Sequence, residues 1–130
     1  MREIKFRAWH NGEKIMKEVL DYDFVDKDVS VLMDIWELKN IELMQFTGLQ
    51  DKNGVDIYEG DIVTYKYMFQ DRKDTLIVIY DEDNSSFIAY YEDEEIKYTL
   101  EKTLKNQFEV IGNIYENPEL LEVEKCKQNT

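Results

Sequence analysis

Residues 3–9 alternate, with Ile4, Phe6 and Ala8 on one face and Glu3, Lys5, Arg7 and Trp9 on the other, the period-two signature of a half-buried strand. Asn11-Gly12 follows, a pair that tolerates the positive φ angles of a tight turn, so a first hairpin is predicted to close through Ile15 and Met16. Alternation resumes through Leu20, Tyr22 and Phe24, breaks at Asp26-Lys27-Asp28, and returns at Val29 and Val31. From Leu32 to Leu43 the apolar spacing suits a short helix and irregular chain equally, so periodicity does not decide the conformation of residues 32–43.

Met44 and Phe46 lead into Thr47-Gly48-Leu49 and then Asp51-Lys52-Asn53-Gly54, where Asn-Gly again supplies turn chemistry. A turn at Gly60-Asp61 feeds a strand through Val63, Tyr65, Tyr67 and Phe69, which polar Gln70 to Asp74 closes. Thr75 to Tyr80 is a β-branched strand, Asp81 to Ser86 a polar loop and Phe87 to Tyr91 the returning strand of a hairpin. The acidic group Glu92 to Glu95 turns the chain toward Ile96, Tyr98 and Leu100. A further strand is predicted over Phe108 to Tyr115, with Gly112 inside it marking a bulge or bend. Pro118 suits the first position of one helical turn over Glu119 to Glu122, and Val123 to Thr130 is expected to fray.

Short strands punctuated by turns point to a mainly β protein, rolled or closed on itself rather than built of βαβ units. Closure has a physical motive, because free edges rich in Val, Ile and Tyr pair with other chains.

Two blocks say more than periodicity. Met44 to Val63, MQFTGLQDKNGVDIYEGDIV, and Val110 to Leu121, VIGNIYENPELL, closely resemble the signature blocks of the YopX-like family of bacteriophage and prophage proteins, and the opening MREIKFRAW is similar to that family's N-terminus. The resemblance implies a small SH3-like β-barrel or roll over residues 44–122, a β-rich N-terminal extension over 1–43 and a frayed tail over 123–130. It implies a phage-related origin and no defined activity. Most signature residues are what turns need: glycines for unusual backbone angles, and Asp51, Asn53, Asp61, Asn113 and Asn117 to bond nearby backbone groups. Tyr58, Glu59, Tyr115 and Glu116 are not required by turn chemistry, so they are the candidate interaction site.

At 130 residues the chain is long enough for one core without staples, and nine Tyr and six Phe can fill it. Cys126 is the single cysteine, which excludes an internal disulfide and a cysteine-based metal cluster and suits a reducing compartment. No secretory signal or membrane-spanning run is read, so a cytoplasmic location in a bacterial host is expected. The net charge of −13 is spread evenly, residues 1–65 and 66–130 carrying −6 and −7. A uniform negative field disfavours direct nucleic-acid binding, since affinity for phosphates comes mostly from Lys and Arg displacing counterions.

The other candidates have bland readings beside them. His10, the only histidine, sits at a predicted turn and cannot form a catalytic pair or a three-histidine zinc site alone, so it reads as a solvated turn residue. Asp81 to Glu92 places oxygens at positions 1, 3, 5 and 12 of a calcium-loop pattern. Ser86 stands where that loop wants Gly, and the flanks are strands, so a solvated hairpin loop is the reading. Glu92-Asp93-Glu94-Glu95 reads as a solvated turn, and Arg2, Lys5 and Arg7, interleaved with Phe6 and Trp9, as partners of the protein's own carboxylates rather than a nucleic-acid footprint. No catalytic residue, metal ligand or cofactor is implied. The expected function is a non-catalytic protein-interaction module that binds a host or phage protein, with homo-oligomers open to it through a free strand edge. The alternatives are a small-ligand-binding protein or enzyme using a cleft between extension and barrel, and an acidic mimic of DNA.

Overall fold

The computed structural model describes residues 3–91 and 96–121, so the expectations for Glu92 to Glu95 and for the tail from Val123 lie outside the described residues. The chain divides into two compact units, Met1–Phe46 and Thr47–Thr130, with the boundary inside one long strand.

In the first unit β1 (Phe6–His10) pairs antiparallel with β2 (Ile15–Glu18), His10 opposite Ile15, so the Asn11-Gly12 hairpin forms as expected. Its turn runs over four residues, and Lys14 rather than a glycine takes the left-handed angle, with φ at 60°. On its other side β1 pairs with the start of β6 (Ile41–Gln50). β3 (Asp21–Asp23), β4 (Asp28–Val31) and β5 (Asp34–Glu37) form a separate three-stranded antiparallel sheet. Ala8, Val29, Val31, Trp36 and Ile41 make the buried core of this unit.

Residues 32–43, undecided from sequence, are a two-residue turn at Leu32-Met33, β5, one 3-10 turn over Leu38–Asn40 and the start of β6. Trp9, placed by alternation among the polar residues, is only 7% exposed, because both faces of β1 are covered. Phe24, read as a strand position, lies in the exposed turn between β3 and β4.

In the second unit, β7 (Asp56–Tyr58) is followed by β8 (Asp61–Lys66), β9 (Lys73–Asp81), β10 (Ser86–Tyr91), β11 (Ile96–Thr99) and β12 (Phe108–Asn113). The last five form one antiparallel sheet in the order β11-β10-β9-β8-β12, curled into a half-barrel. The mainly β expectation therefore holds. The β9–β10 hairpin lies where the β-branched pattern put it, and one helical turn follows Pro118 over residues 119–121. The register between β12 and β8 slips from Val110 opposite Val63 to Gly112 opposite Ile62, which is the expected bulge. Val63, Leu76, Val78, Ala89, Leu100 and Phe108 are at the centre of this unit's core. Phe69, expected on β8, falls beyond its end in an exposed turn.

Candidate functional site

The first signature block is organised by one carboxylate. Asp51 follows β6 and is fully buried. Its Oδ1 accepts the backbone N–H groups of Asn53 at 2.8 Å and Val55 at 2.9 Å, closing the Asp51 to Gly54 turn. Its Oδ2 accepts the N–H of Val110 on β12 at 2.8 Å, and the Lys52 N–H donates to the Phe108 carbonyl at 3.1 Å. A carboxylate with three backbone donors is satisfied without a metal or substrate, which is what its burial requires. Gly54 ends the turn with φ at 81°, a backbone state that side chains rarely adopt.

The second pair of turns is built the same way. Asp61 is buried at the start of β8, and its Oδ2 accepts the Tyr58 N–H at 2.8 Å. Opposite it in register is buried Asn113, whose Oδ1 accepts the N–H groups of Tyr115 at 3.0 Å and Glu116 at 2.8 Å. Asn117 Oδ1 in turn accepts the Asn113 N–H at 3.2 Å. The Ile114 N–H donates to the Gly60 carbonyl at 2.9 Å and ties the two turns together. Tyr58-Glu59 precede β8 and Tyr115-Glu116 follow β12, so both pairs lie toward the end of the sheet where Asp61 faces Asn113. Tyr58, Glu59 and Tyr115 are half-buried and Glu116 is exposed.

His10 does more than the sequence suggested. Its Nδ1 accepts the N–H groups of Gly12 at 3.2 Å and Glu13 at 2.9 Å, capping the first turn, and its ring meets Trp36 edge-on at 5.0 Å. Lys5 lies 3.6 Å from Glu3 and 4.7 Å from the centre of the Phe46 ring, so it pairs within the protein as expected. Asp81 accepts the Asp83 N–H at 3.1 Å and the Asn84 side-chain amide at 2.8 Å, and the Asn84 bond is the main reason its carboxyl is held below the usual aspartate range. Glu92, which completes the calcium pattern, lies outside the described residues, and among the described residues no three His, Cys, Asp or Glu side chains converge as a metal set. An open depression of about 390 Å³ lies beside this hairpin, with Ile79, Asp81, Tyr90 and Lys97 in its wall.

One polar cluster escaped the sequence reading. The Tyr67 hydroxyl donates to Asp74 Oδ2 at 2.6 Å and shares a short hydrogen bond with the Tyr98 hydroxyl, while Tyr98 stacks on Tyr65 with ring centres 4.3 Å apart. Burial, reinforced by bonds to Asp74 and Tyr98, pushes the Tyr67 phenol well above the usual tyrosine range. Alternation relates Tyr65 to Tyr67, but no local signal could link them to Tyr98, 31 positions away from Tyr67.

Comparison with known proteins agrees with this frame. No curated protein matches the chain. The crystal structure of protein EF1440 from Enterococcus faecalis is similar, with a TM-score of 0.64 and 29% identity over 93% of this chain and 99% of that one. The crystal structure of protein yopX from Bacillus subtilis shares the fold, with a TM-score of 0.59 and 20% identity over 90% of this chain and 95% of that one. No helix among the described residues is long and apolar enough to cross a membrane. The model of the family described as YopX protein matches residues 5–122, a span that holds both tied turn systems, and the chain belongs to that family.

Proposed function

We propose that this protein is a non-catalytic protein-interaction module of bacteriophage or prophage origin, acting in the cytoplasm of a bacterial host on a host or phage protein. The observation that carries this is the use made of the polar signature residues. Asp51, Asp61, Asn113 and Asn117 all accept backbone N–H groups, so their oxygens shape turns. The side chains left over by turn chemistry, Tyr58, Glu59, Tyr115 and Glu116, form one contact region on this reading, since Tyr is favoured in interface cores. An SH3-like arrangement of the second unit and pairing of free strand edges between copies are part of the same proposal.

The test is affinity capture from a bacterial lysate with the tagged full chain, quantified against the bait. A partner at near-stoichiometric yield is expected, lost on replacing Tyr58 and Tyr115 by Ala. Recovery of nothing but the bait, together with a saturable thermal shift by a nucleotide, sugar or metal ion, would replace this proposal with a ligand-binding one. The net charge of −13 favours a second reading, an acidic mimic of DNA, which requires capture to weaken steeply with salt.

A further inference from the structure

Strand β9 of the second unit has an apolar protrusion at one end and a depression at the other. Past Lys66 and Lys73, the last pair in register between β8 and β9, the chain turns through Met68 and Phe69, which are 70% and 93% exposed. Turn positions ordinarily hold polar residues, and two adjacent large apolar side chains in water gain nothing for the fold. Residues 66–73 also carry three cations, Lys66, Arg72 and Lys73, against one carboxylate, Asp71, in a chain of net charge −13. Arg72 is committed to the neck of the turn, where it lies over the Tyr67 ring and meets Asp74 at 3.2 Å. Lys66 and Lys73 face one another across the strands, a like-charge pair that weakens the hairpin until anionic groups relieve it.

The depression of about 390 Å³ beside the β9–β10 hairpin has the complementary make-up. Val78, Ala89 and Tyr91 belong to the core, so strand alternation sets Ile79, Asp81, Ile88 and Tyr90 together on the opposite face. Ile79 pairs with Ile88 and Lys97 with Tyr90, which gives the depression an apolar floor; Ile79 itself is 36% exposed. Its rim at the hairpin carries Asp81, Glu82 and Asp83 against the single Lys97. Asp81 is occupied by its own turn, through the Asp83 N–H and the Asn84 amide, whereas the Glu82 and Asp83 side chains are exposed. An apolar knob flanked by lysines and an apolar hollow edged by carboxylates thus belong to the same molecule.

We propose that copies of this chain associate head to tail, the Met68-Phe69 turn of one seated in the depression of the next, with Lys66 and Lys73 meeting Glu82 and Asp83. The two surfaces are separated by the length of β9 from Lys73 to Asp81, roughly 26 Å at about 3.3 Å per residue, so a molecule does not fill its own depression. Each addition leaves a new turn and a new depression exposed, so association runs past the dimer, as heterologous contacts do. A nucleic acid or an anionic bilayer would meet the same cations, but it would face the net negative charge of the chain and leave the depression empty. This contact differs from pairing of strand edges and does not depend on a host or phage partner.

Sedimentation equilibrium of the full chain, from micromolar to millimolar protein at low and moderate salt, tests this. The weight-average mass should climb past that of a dimer with concentration and fall back as salt is raised. Met68→Ser with Phe69→Ser, and separately Glu82→Lys with Asp83→Lys, should each weaken association at least tenfold. Both variants should melt with the parent, since all four side chains are exposed. Mixed in equal amounts, the two variants should recover a dimer and stop there, because one keeps the depression and the other keeps the turn. A mixture that stays monomeric, or association that both variants retain, as strand-edge pairing would give, overturns the proposal. So does a parent that stays monomeric throughout, including one whose Met68-Phe69 turn binds single-stranded DNA or phosphatidylglycerol vesicles instead.

Discussion

Asp51 and Val110 are separated by 59 positions and joined at 2.8 Å, the carboxylate of one accepting the backbone N–H of the other. That bond sews the turn after β6 to β12, and so links the two signature blocks of the chain. Its strength comes from where it is made. A charged acceptor that is fully buried, with every bond to a backbone donor, cannot be replaced by water without opening the unit.

Asp51→Ala should therefore be the most damaging single polar substitution in the second unit. It orphans the N–H groups of Asn53, Val55 and Val110. A buried donor left unpaired costs roughly 1–3 kcal/mol, and Asn53 and Val55 are exposed residues whose N–H groups water can reach, so a loss of about 1–3 kcal/mol, mainly from Val110, is expected in urea unfolding. Asp51→Asn should fall between the two, because its amide can still accept at the turn but turns a donor toward Val110.

Gly112 illustrates a steric requirement. A Cβ added there would lie 2.6 Å from Asn117 Oδ1 and 2.9 Å from Asn117 Cβ, closer than real contacts allow. Gly112→Ala should cost about 1–3 kcal/mol by overpacking. Asn117→Gly removes the obstacle, so in the double variant the two losses should not add, a coupling that a double-mutant cycle reads directly.

The Tyr67 phenol is raised in the folded protein, so folding favours its neutral form. The stability from this preference is fully present below the ordinary tyrosine range near pH ~10, and is lost as pH rises from there through the raised value. In an alkaline titration followed by tyrosinate absorbance, Tyr67 should ionise last and together with unfolding. Tyr67→Phe should flatten the fall of stability in that window, and an unchanged alkaline profile would count against the Asp74–Tyr67–Tyr98 chain.

Asp28 carries the same sign at the other end of the scale. Burial, then Asp23, Asp26 and Glu37, raise its carboxyl. Its protonated form is thus favoured by folding, with the benefit present below the ordinary aspartate value near ~3.9 and lost as pH rises through the raised one. Asp28→Asn is expected to raise the urea midpoint at pH 7 and to leave it unchanged at pH 3.

Turn chemistry made much of this fold legible. The Asp51 to Gly54 turn lies where residue type alone placed it, because it needs bonds and a backbone state that few residues supply, and so does the Gly112 bulge, where a side chain would meet Asn117. The first hairpin also forms at Asn11-Gly12, although Lys14 takes its left-handed angle. The turn at Leu32-Met33 gave no such signal. Met33 holds φ at 69° without being Gly, Asn or Asp, so β5 was invisible between two apolar runs. Phe24 and Phe69 continue the alternation of the strands before them, and a period of two cannot tell the last strand residue from the first turn residue. The site was legible only in part. Asp51 was recognisable as a turn former, but its tie to Val110 depends on strand pairing that no local pattern contains.

Amide hydrogen exchange at Val110, Asn53 and Val55 most directly tests whether the polar signature residues serve the fold. In the parent chain these three amides should exchange as slowly as the central residues of β9 and β10, and Asp51→Asn should release Val110 while the β9–β10 hairpin keeps its protection. Rapid exchange of Val110 in the parent, or slow exchange there that Asp51→Asn leaves untouched, would contradict the role assigned to that carboxylate.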